Sequence, residues 1–207
     1  MIVVAHRRNT LAERDATPAQ YGVELDVRVA HGRVVVTHDP VLGPAEDSVD
    51  LPTLDAWLAG YRGALLIVNV KEEGIEDVVR ASLARAGVTD WFFLDQSMAA
   101  LMKTVRSGES RVAVRVSDVE HAGTALALAG RAAWVWLDAF TPGLPVHADT
   151  LRALRDVGYR ICLVSPELHG RDDAEIDTLR GTMAGSGVTV DAVCTRRWER
   201  WAVRSVS

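Results

Sequence analysis

The stretch Gly22-Val-Glu-Leu-Asp-Val-Arg28, followed after a short turn by Val34-Val-Val-Thr-His-Asp39, decides how the chain reads. Glu24 and Asp26 alternate with Val23, Leu25 and Val27, a strand pattern that sends both carboxylates out of the same face. Two carboxylates on one face of a buried strand repel each other and lose their hydration. A divalent cation held by oxygen ligands removes both problems. The competing reading is an edge strand whose solvent face carries Glu24, Asp26 and Arg28, each paired with a neighbour.

Outward from that stretch, the chain alternates between two textures. Short β-branched or aromatic runs stand at Ile2–Ala5, Val23–Val27, Leu65–Val70, Trp91–Leu94, Arg111–Val116, Ala133–Leu137, Arg160–Val164 and Ala192–Cys194. Helical spacing of apolar residues marks Thr53–Leu58, Ile75–Arg85, Met98–Val105, Val119–Ala129, Thr150–Val157 and Ala174–Met183. Glycines near positions 87, 108, 130, 158 and 187 punctuate the alternation. Most strand runs are apolar throughout, as expected of parallel strands covered on both faces. About eight such strands with helices between them predict a compact α/β fold, a (β/α)8 TIM barrel near its lower length limit of roughly 200 residues. A doubly wound open sheet is the alternative, but no dinucleotide fingerprint follows the first strand and no P-loop is present.

A barrel makes a sharp demand: its functional residues sit where strands end and the following loops begin. The polar residues at those ends are His6 and Arg7, Glu24 and Asp26, His38, Asn69 and Lys71, Asp95, Arg115, Asp138, Ser165 and Glu167, and Thr195. Few of these residue types are favoured in strands. Asp95 and Asp138 have a simpler reading as caps of the helices that follow.

Composition narrows the field further. The 207 residues are 48% hydrophobic, enough for a large core, and are expected to form one domain over 1–207. A net charge of −5 with scattered Lys and Arg predicts no nucleic-acid partner. Apolar runs are too short to span a bilayer, and Met1–Ala5 meets His6-Arg-Arg too soon for a signal peptide, so a cytoplasmic location is expected. Cys162 and Cys194 sit in apolar runs and are expected as buried thiols.

The ordered series Ala5-His-Arg7, Asn9-Thr10, Glu24-Leu-Asp-Val27, His38-Asp39 and Asn69-Val-Lys71 resembles the motifs of the glycerophosphodiester phosphodiesterase family. That family shares its barrel with phosphatidylinositol-type phospholipases C and sphingomyelinases D. The specific motifs cover the first third of the chain. Val135–Phe140, Ser165–His169 and Cys194-Thr195 resemble a small, compact branch of the same superfamily. Three departures stand out. Arg8 replaces the glycine of the family's His-Arg-Gly, with Asn9-Thr10 following at once, so the first loop is short. Asn69 stands where the family has a metal-binding glutamate. The insertion after the second strand shrinks to about Asp39–Arg62.

The resemblance implies one divalent ion, Mg²⁺ or Ca²⁺, on Glu24, Asp26 and Asn69, with Arg7 and Lys71 holding the phosphate of a small-molecule phosphodiester. His6 and His38 would carry protons, since imidazole titrates near neutrality. Asp95, Arg115, Trp136, Asp138, Glu167 and His169 are candidates for the rest of the pocket. His31, His121 and His147 are read as turn, helix and loop residues. The implied activity is metal-dependent hydrolysis of a glycerophosphodiester-like molecule or lysophospholipid head group. A phosphodiester lyase or transferase, or a non-catalytic relative that binds phosphorylated ligands, would use the same residues.

Overall fold

The computed structural model describes residues 1–44 and 50–202. Part of the shortened Asp39–Arg62 segment, residues 45–49, lies outside them. Strand β1 is Ile2–Ala5, and the chain's packing divides it into two compact units, His6–Glu109 and Met1–Ala5 with Ser110–Ser207.

The His6–Glu109 unit opens with helix α1 (Leu11–Ala16), then β2 (Gly22–Ala30), β3 (Arg33–Val36), α2 (Leu54–Ala59), β4 (Leu66–Val70), α3 (Glu76–Arg85), β5 (Trp91–Leu94) and α4 (Met98–Arg106). Strands β2, β4 and β5 are parallel, with Asp26 beside Asn69 and Asn69 beside Leu94. Strand β3 runs antiparallel to β2. His31 and Gly32 join them with φ of 48° and 77°, the left-handed pair that matches the twist of a tight hairpin. Every residue of β4 and β5 is buried, which is why their sequences are apolar on both faces save for Asn69. Trp57, Trp91, Phe92 and Phe93 fill this core.

The other unit continues with β6 (Ala113–Val116), α5 (Gly123–Ala127), β7 (Trp134–Leu137), α6 (Ala148–Asp156), β8 (Arg160–Val164), a 3₁₀ turn (Pro166–His169), α7 (Ala174–Ser186), β9 (Ala192–Thr195) and α8 (Trp198–Trp201). Its strands are parallel in the order β1-β9-β8-β7-β6. Trp134 and Trp201 are buried, and the Arg160 guanidinium lies 4.0 Å over the Trp134 ring. Cys162 and Cys194 are buried thiols on adjacent strands.

Strand positions follow the sequence pattern within a residue or two, except that β2 runs three residues further, to Ala30, where it pairs with β3. The helix expected over Val119–Ala129 is only Gly123–Ala127, because Ser117 Oγ accepts from the Val119 and Glu120 amides and turns the chain first. His121 therefore precedes that helix rather than lying on it, and His147 is the N-cap position of α6. Among the described residues no helix is long and apolar enough to cross a membrane.

Candidate active site

Glu24 and Asp26 are 0% and 1% exposed, so the edge-strand reading of β2 fails. Instead the two carboxylates face a cluster assembled from β2, β4 and the loop after β1. Glu24 accepts from the Arg7 amide at 2.7 Å and from Asn69 Nδ2 at 3.1 Å. Arg7 reaches that position with φ of 53°, a strained conformation for a side-chain-bearing residue. Asn9 pairs twice with Asp26: its Nδ2 donates to Oδ2 at 2.8 Å, and its Oδ1 accepts from the Asp26 amide at 3.0 Å. Burial, and then the neighbouring Asp26 charge, push the Glu24 carboxyl up to about 8, so without a compensating cation it keeps its proton near neutrality.

Positive groups converge on the same carboxylates. Lys71 Nζ lies 3.3 Å from Asp26 Oδ1 and 3.6 Å from Asp95 Oδ2, and Arg7 Nε lies 3.6 Å from Asp26 Oδ2. Asp95, with φ of 61°, anchors Lys71, while Ser97 rather than Asp95 caps α4. His6 Nε2 approaches Glu24 Oε2 at 3.8 Å. His38 is tied elsewhere: its Nδ1 is 2.7 Å from Asp39 Oδ1, and Arg28 Nε donates to its carbonyl at 2.8 Å. The His38 hydrogen bond holds the Asp39 carboxyl below its usual range, so Nδ1 is the ring nitrogen that carries the hydrogen.

The donor set fits a hard divalent cation. Asn69 Oδ1 is buried and accepts no hydrogen bond among the described residues, and Asp26 Oδ1 has only the Lys71 ammonium. With Glu24 these are oxygen donors of the kind Mg²⁺ and Ca²⁺ take. Among the described residues no three of His, Cys, Asp and Glu gather as metal ligands. A cavity of about 340 Å³ in the same unit lies elsewhere, lined by Val23, Tyr61 and Arg62 near the start of β2.

The remaining candidates belong to the second unit. Arg115, Asp138 and His169, from the ends of β6, β7 and the turn after β8, form one hydrogen-bonded cluster. Asp138 caps no helix. Glu167 is 7% exposed and accepts from Ser165 Oγ, Thr195 Oγ1 and the Arg196 amide, while Trp201 Nε1 donates to Ser165 Oγ at 2.7 Å. These bonds tie the 3₁₀ turn to the end of β9. Trp136 is buried like Trp134.

Four residues have structural parts that the sequence analysis does not assign. Asn9, quoted above only as part of a motif, fixes Asp26. Thr10 caps α1 with a reciprocal bond from Glu13, a Thr-x-x-Glu box that was legible. Asp118 and Phe140 carry no such local signal, because they meet across 22 residues.

Several solved structures resemble the chain over most of its length, two of them as follows. One is a glycerophosphodiester phosphodiesterase from Agrobacterium tumefaciens str. C58, with 21% identity, 98% of this chain and 100% of that one covered, and a TM-score of 0.71. The other is a glycerophosphoryl diester phosphodiesterase from Parabacteroides distasonis ATCC 8503, with 14% identity, 96% and 84% covered, and a TM-score of 0.66. No family model and no curated protein sequence matches the chain. At these identities the likeness speaks for the fold: the alternating strands and helices form a (β/α)8 TIM barrel, as the sequence predicted, and its structural neighbours bear the name of the family that the sequence motifs resemble.

Proposed function

We propose that the protein is a metal-dependent phosphodiesterase acting on a glycerophosphodiester-like small molecule. The observation that carries this reading is the buried Glu24–Asp26 pair, faced by Lys71 and Arg7 and left short of positive charge enough that Glu24 retains its proton. Such a cluster gains most from binding a cation beside an anionic substrate. The named activity of two fold neighbours points the same way.

Glu24, Asp26 and Asn69 Oδ1 would hold one Mg²⁺ or Ca²⁺, which when bound supplies positive charge for a phosphate oxygen. Asn69 brings no charge of its own, so the ion keeps more of its positive potential than it would among three carboxylates. Arg7 and Lys71 stabilise the charge that gathers on the non-bridging oxygens in the transition state. Of His6 and His38, one takes a proton from the attacking hydroxyl or water and the other returns one to the leaving alkoxide.

The test is turnover of bis(4-nitrophenyl) phosphate with and without added Mg²⁺ or Ca²⁺. The expected result is hydrolysis that a chelator stops and the divalent ion restores. Absence of turnover under all metals would leave a phosphate-binding relative as the better account.

A further inference from the structure

Where β2 leaves β4, a side chain carries the pairing on. The parallel ladder ends at Val27 beside Val70, and Lys71 then donates its amide to the Val27 carbonyl at 3.1 Å. The next contact across this seam comes from Glu72, whose Oε2 accepts from the Val29 amide at 3.2 Å. Its Oε1 accepts from Arg28 Nη1 at 3.3 Å. Alternation places Arg28 on the β2 face that carries Glu24 and Asp26. There Arg28 Nε donates to the His38 carbonyl at 2.8 Å. One guanidinium thus joins the residue after Lys71 to the backbone of His38, all within the His6–Glu109 unit.

The carbonyl that Arg28 holds belongs to the peptide between His38 and Asp39. That peptide is the link between the imidazole and the carboxylate that accepts its Nδ1 hydrogen. Asp39 is 89% exposed, so water competes for it at every moment. The ring bond persists only while the backbone between the two side chains keeps one orientation. The Thr37 amide on the Asp26 carbonyl, at 3.0 Å, fixes one side of this segment, and Arg28 fixes the other. A guanidinium suits the task, because its planar fork of donors meets two acceptors in a set geometry. Arg28 is 16% exposed and its bond to Glu72 is charge-assisted, so the fork itself is held.

Lys71 has anchors of its own, its amide on Val27 and its ammonium beside Asp26 and Asp95. Loosening Arg28 therefore reaches His38 rather than the lysine. The plainer reading is a half-exposed ion pair that braces two strand ends and touches nothing else. The Nε bond to His38 argues against it, since a brace between β2 and the loop after β4 has no use for a third segment. We propose that Arg28 and Glu72 are positioning residues for His38. Glu72 sets the plane of the guanidinium, Arg28 sets the His38–Asp39 peptide, and the peptide sets which ring nitrogen carries the hydrogen. That His38 moves a proton in catalysis rests on the phosphodiesterase reading above; the orientation of its ring does not.

The experiment has two arms on the full chain. In the first, ¹⁵N-histidine-labelled protein is studied by NMR at pH 9, with the His38 signals identified by their loss in His38→Ala. Wild type is expected to show a neutral ring with its hydrogen on Nδ1. In Arg28→Met both ring nitrogens should move toward the averaged shifts of an unrestrained imidazole, which divides its hydrogen between them. Glu72→Gln, at a half-exposed side chain, should move them part of the way and keeps the test open should Arg28→Met fail to fold. A hydrogen on Nε2 in wild type, or a tautomer unaltered in both variants, overturns the proposal. In the second arm, kcat and KM are measured on bis(4-nitrophenyl) phosphate with added divalent ion. Arg28→Met is expected to lower kcat by about tenfold, short of the roughly 10²-fold of losing a general acid or base outright, and to leave KM unchanged. Arg28→Lys, whose single ammonium lacks the fork, should recover part of the loss. In a His38→Ala background Arg28→Met should cost nothing further. An equal loss with and without His38 places the action of Arg28 elsewhere and overturns the proposal. If wild type hydrolyses no diester, the phosphodiesterase reading fails while the NMR arm still decides this one.

Discussion

Asp26 and Asp138 are both buried carboxylates at the ends of parallel strands, yet their surroundings differ in kind. Asp138 is self-sufficient: the Ala139 amide, His169 and Arg115 together engage both of its oxygens. Asp26 is not. Asn9 satisfies one oxygen, the other meets only Lys71, and Glu24 two residues away keeps its proton. A satisfied carboxylate stabilises and orients what is already there, whereas an under-compensated pair is costly in the empty protein and is relieved by a ligand. The first kind belongs to architecture, the second to chemistry.

That contrast is broken most directly by exchanging the two roles. Asp26→Ala is expected to lower kcat/KM for a phosphodiester by about 10³-fold, the scale of losing a fixed electrostatic contact to the transition state. Its melting temperature should hardly move, because the loss of pairing with Lys71 is offset by relief of Glu24. Calorimetric metal binding equal to wild type would remove Asp26 from the site. Asp138→Ala should behave the opposite way, losing about 3 kcal/mol of stability, since the Ala139 amide, His169 and Arg115 all lose the acceptor they share. Denaturant unfolding checks it, and a stability loss larger for Asp26→Ala than for Asp138→Ala would invert the comparison.

Smaller effects fall on the proton carriers. His6→Ala and His38→Ala should each cost about 10²-fold in kcat, the lower end for general acid–base catalysis. The pH profile should lose one limb in each variant. A variant that keeps both limbs leaves its histidine a structural role.

Why one site was legible and the other less so follows from the range of the interactions. Glu24 and Asp26 announce themselves because strand periodicity puts them on one face within a single run, and Asn69 on the neighbouring strand is followed two residues later by Lys71, just past the strand's end. Strands β1, β5 and β8 read at their observed boundaries because buried parallel strands are apolar end to end. The clamp from Asp118 to Phe140 and Thr141 joins loops from different strand–helix units, and nothing local marks it. The partners of Glu167 are hidden from the sequence for the same reason, since Thr195 and Arg196 lie 28 and 29 residues away. Helix α1 has only the local signal of its capping box, Thr10 with Glu13, and too few residues for an apolar period.

Asn69 gives a finer adjustment. Asn69→Glu puts a charged donor where a neutral amide oxygen stands, and should tighten divalent-ion binding by about tenfold as read by calorimetry. Turnover need not rise, since a more neutralised ion polarises phosphate less. Unchanged or weaker binding would take Asn69 out of the donor set.

The smallest effect tests the charge imbalance itself, in protein kept metal-free by a chelator. Glu24 has a folded-state pKa of about 8 against 4.5 for the exposed group, so between these values the folded state binds more protons than the unfolded one. Stability therefore falls as pH rises through that window, by at most about 1.4 kcal/mol per pH unit for one proton. Below 4.5 both states are protonated and above about 8 both are ionised, so the contribution of Glu24 is flat outside the window. Glu24→Gln cannot titrate, and its advantage over wild type should grow from pH 5 to pH 8 and then level off. Saturating divalent ion should abolish the slope in wild type by taking the place of the proton, and should do so with measurable proton release at pH 7. If wild type and Glu24→Gln keep a constant stability difference across the window, Glu24 is already ionised in the empty protein. The two buried carboxylates would then differ only in their partners and not in their need for a cation.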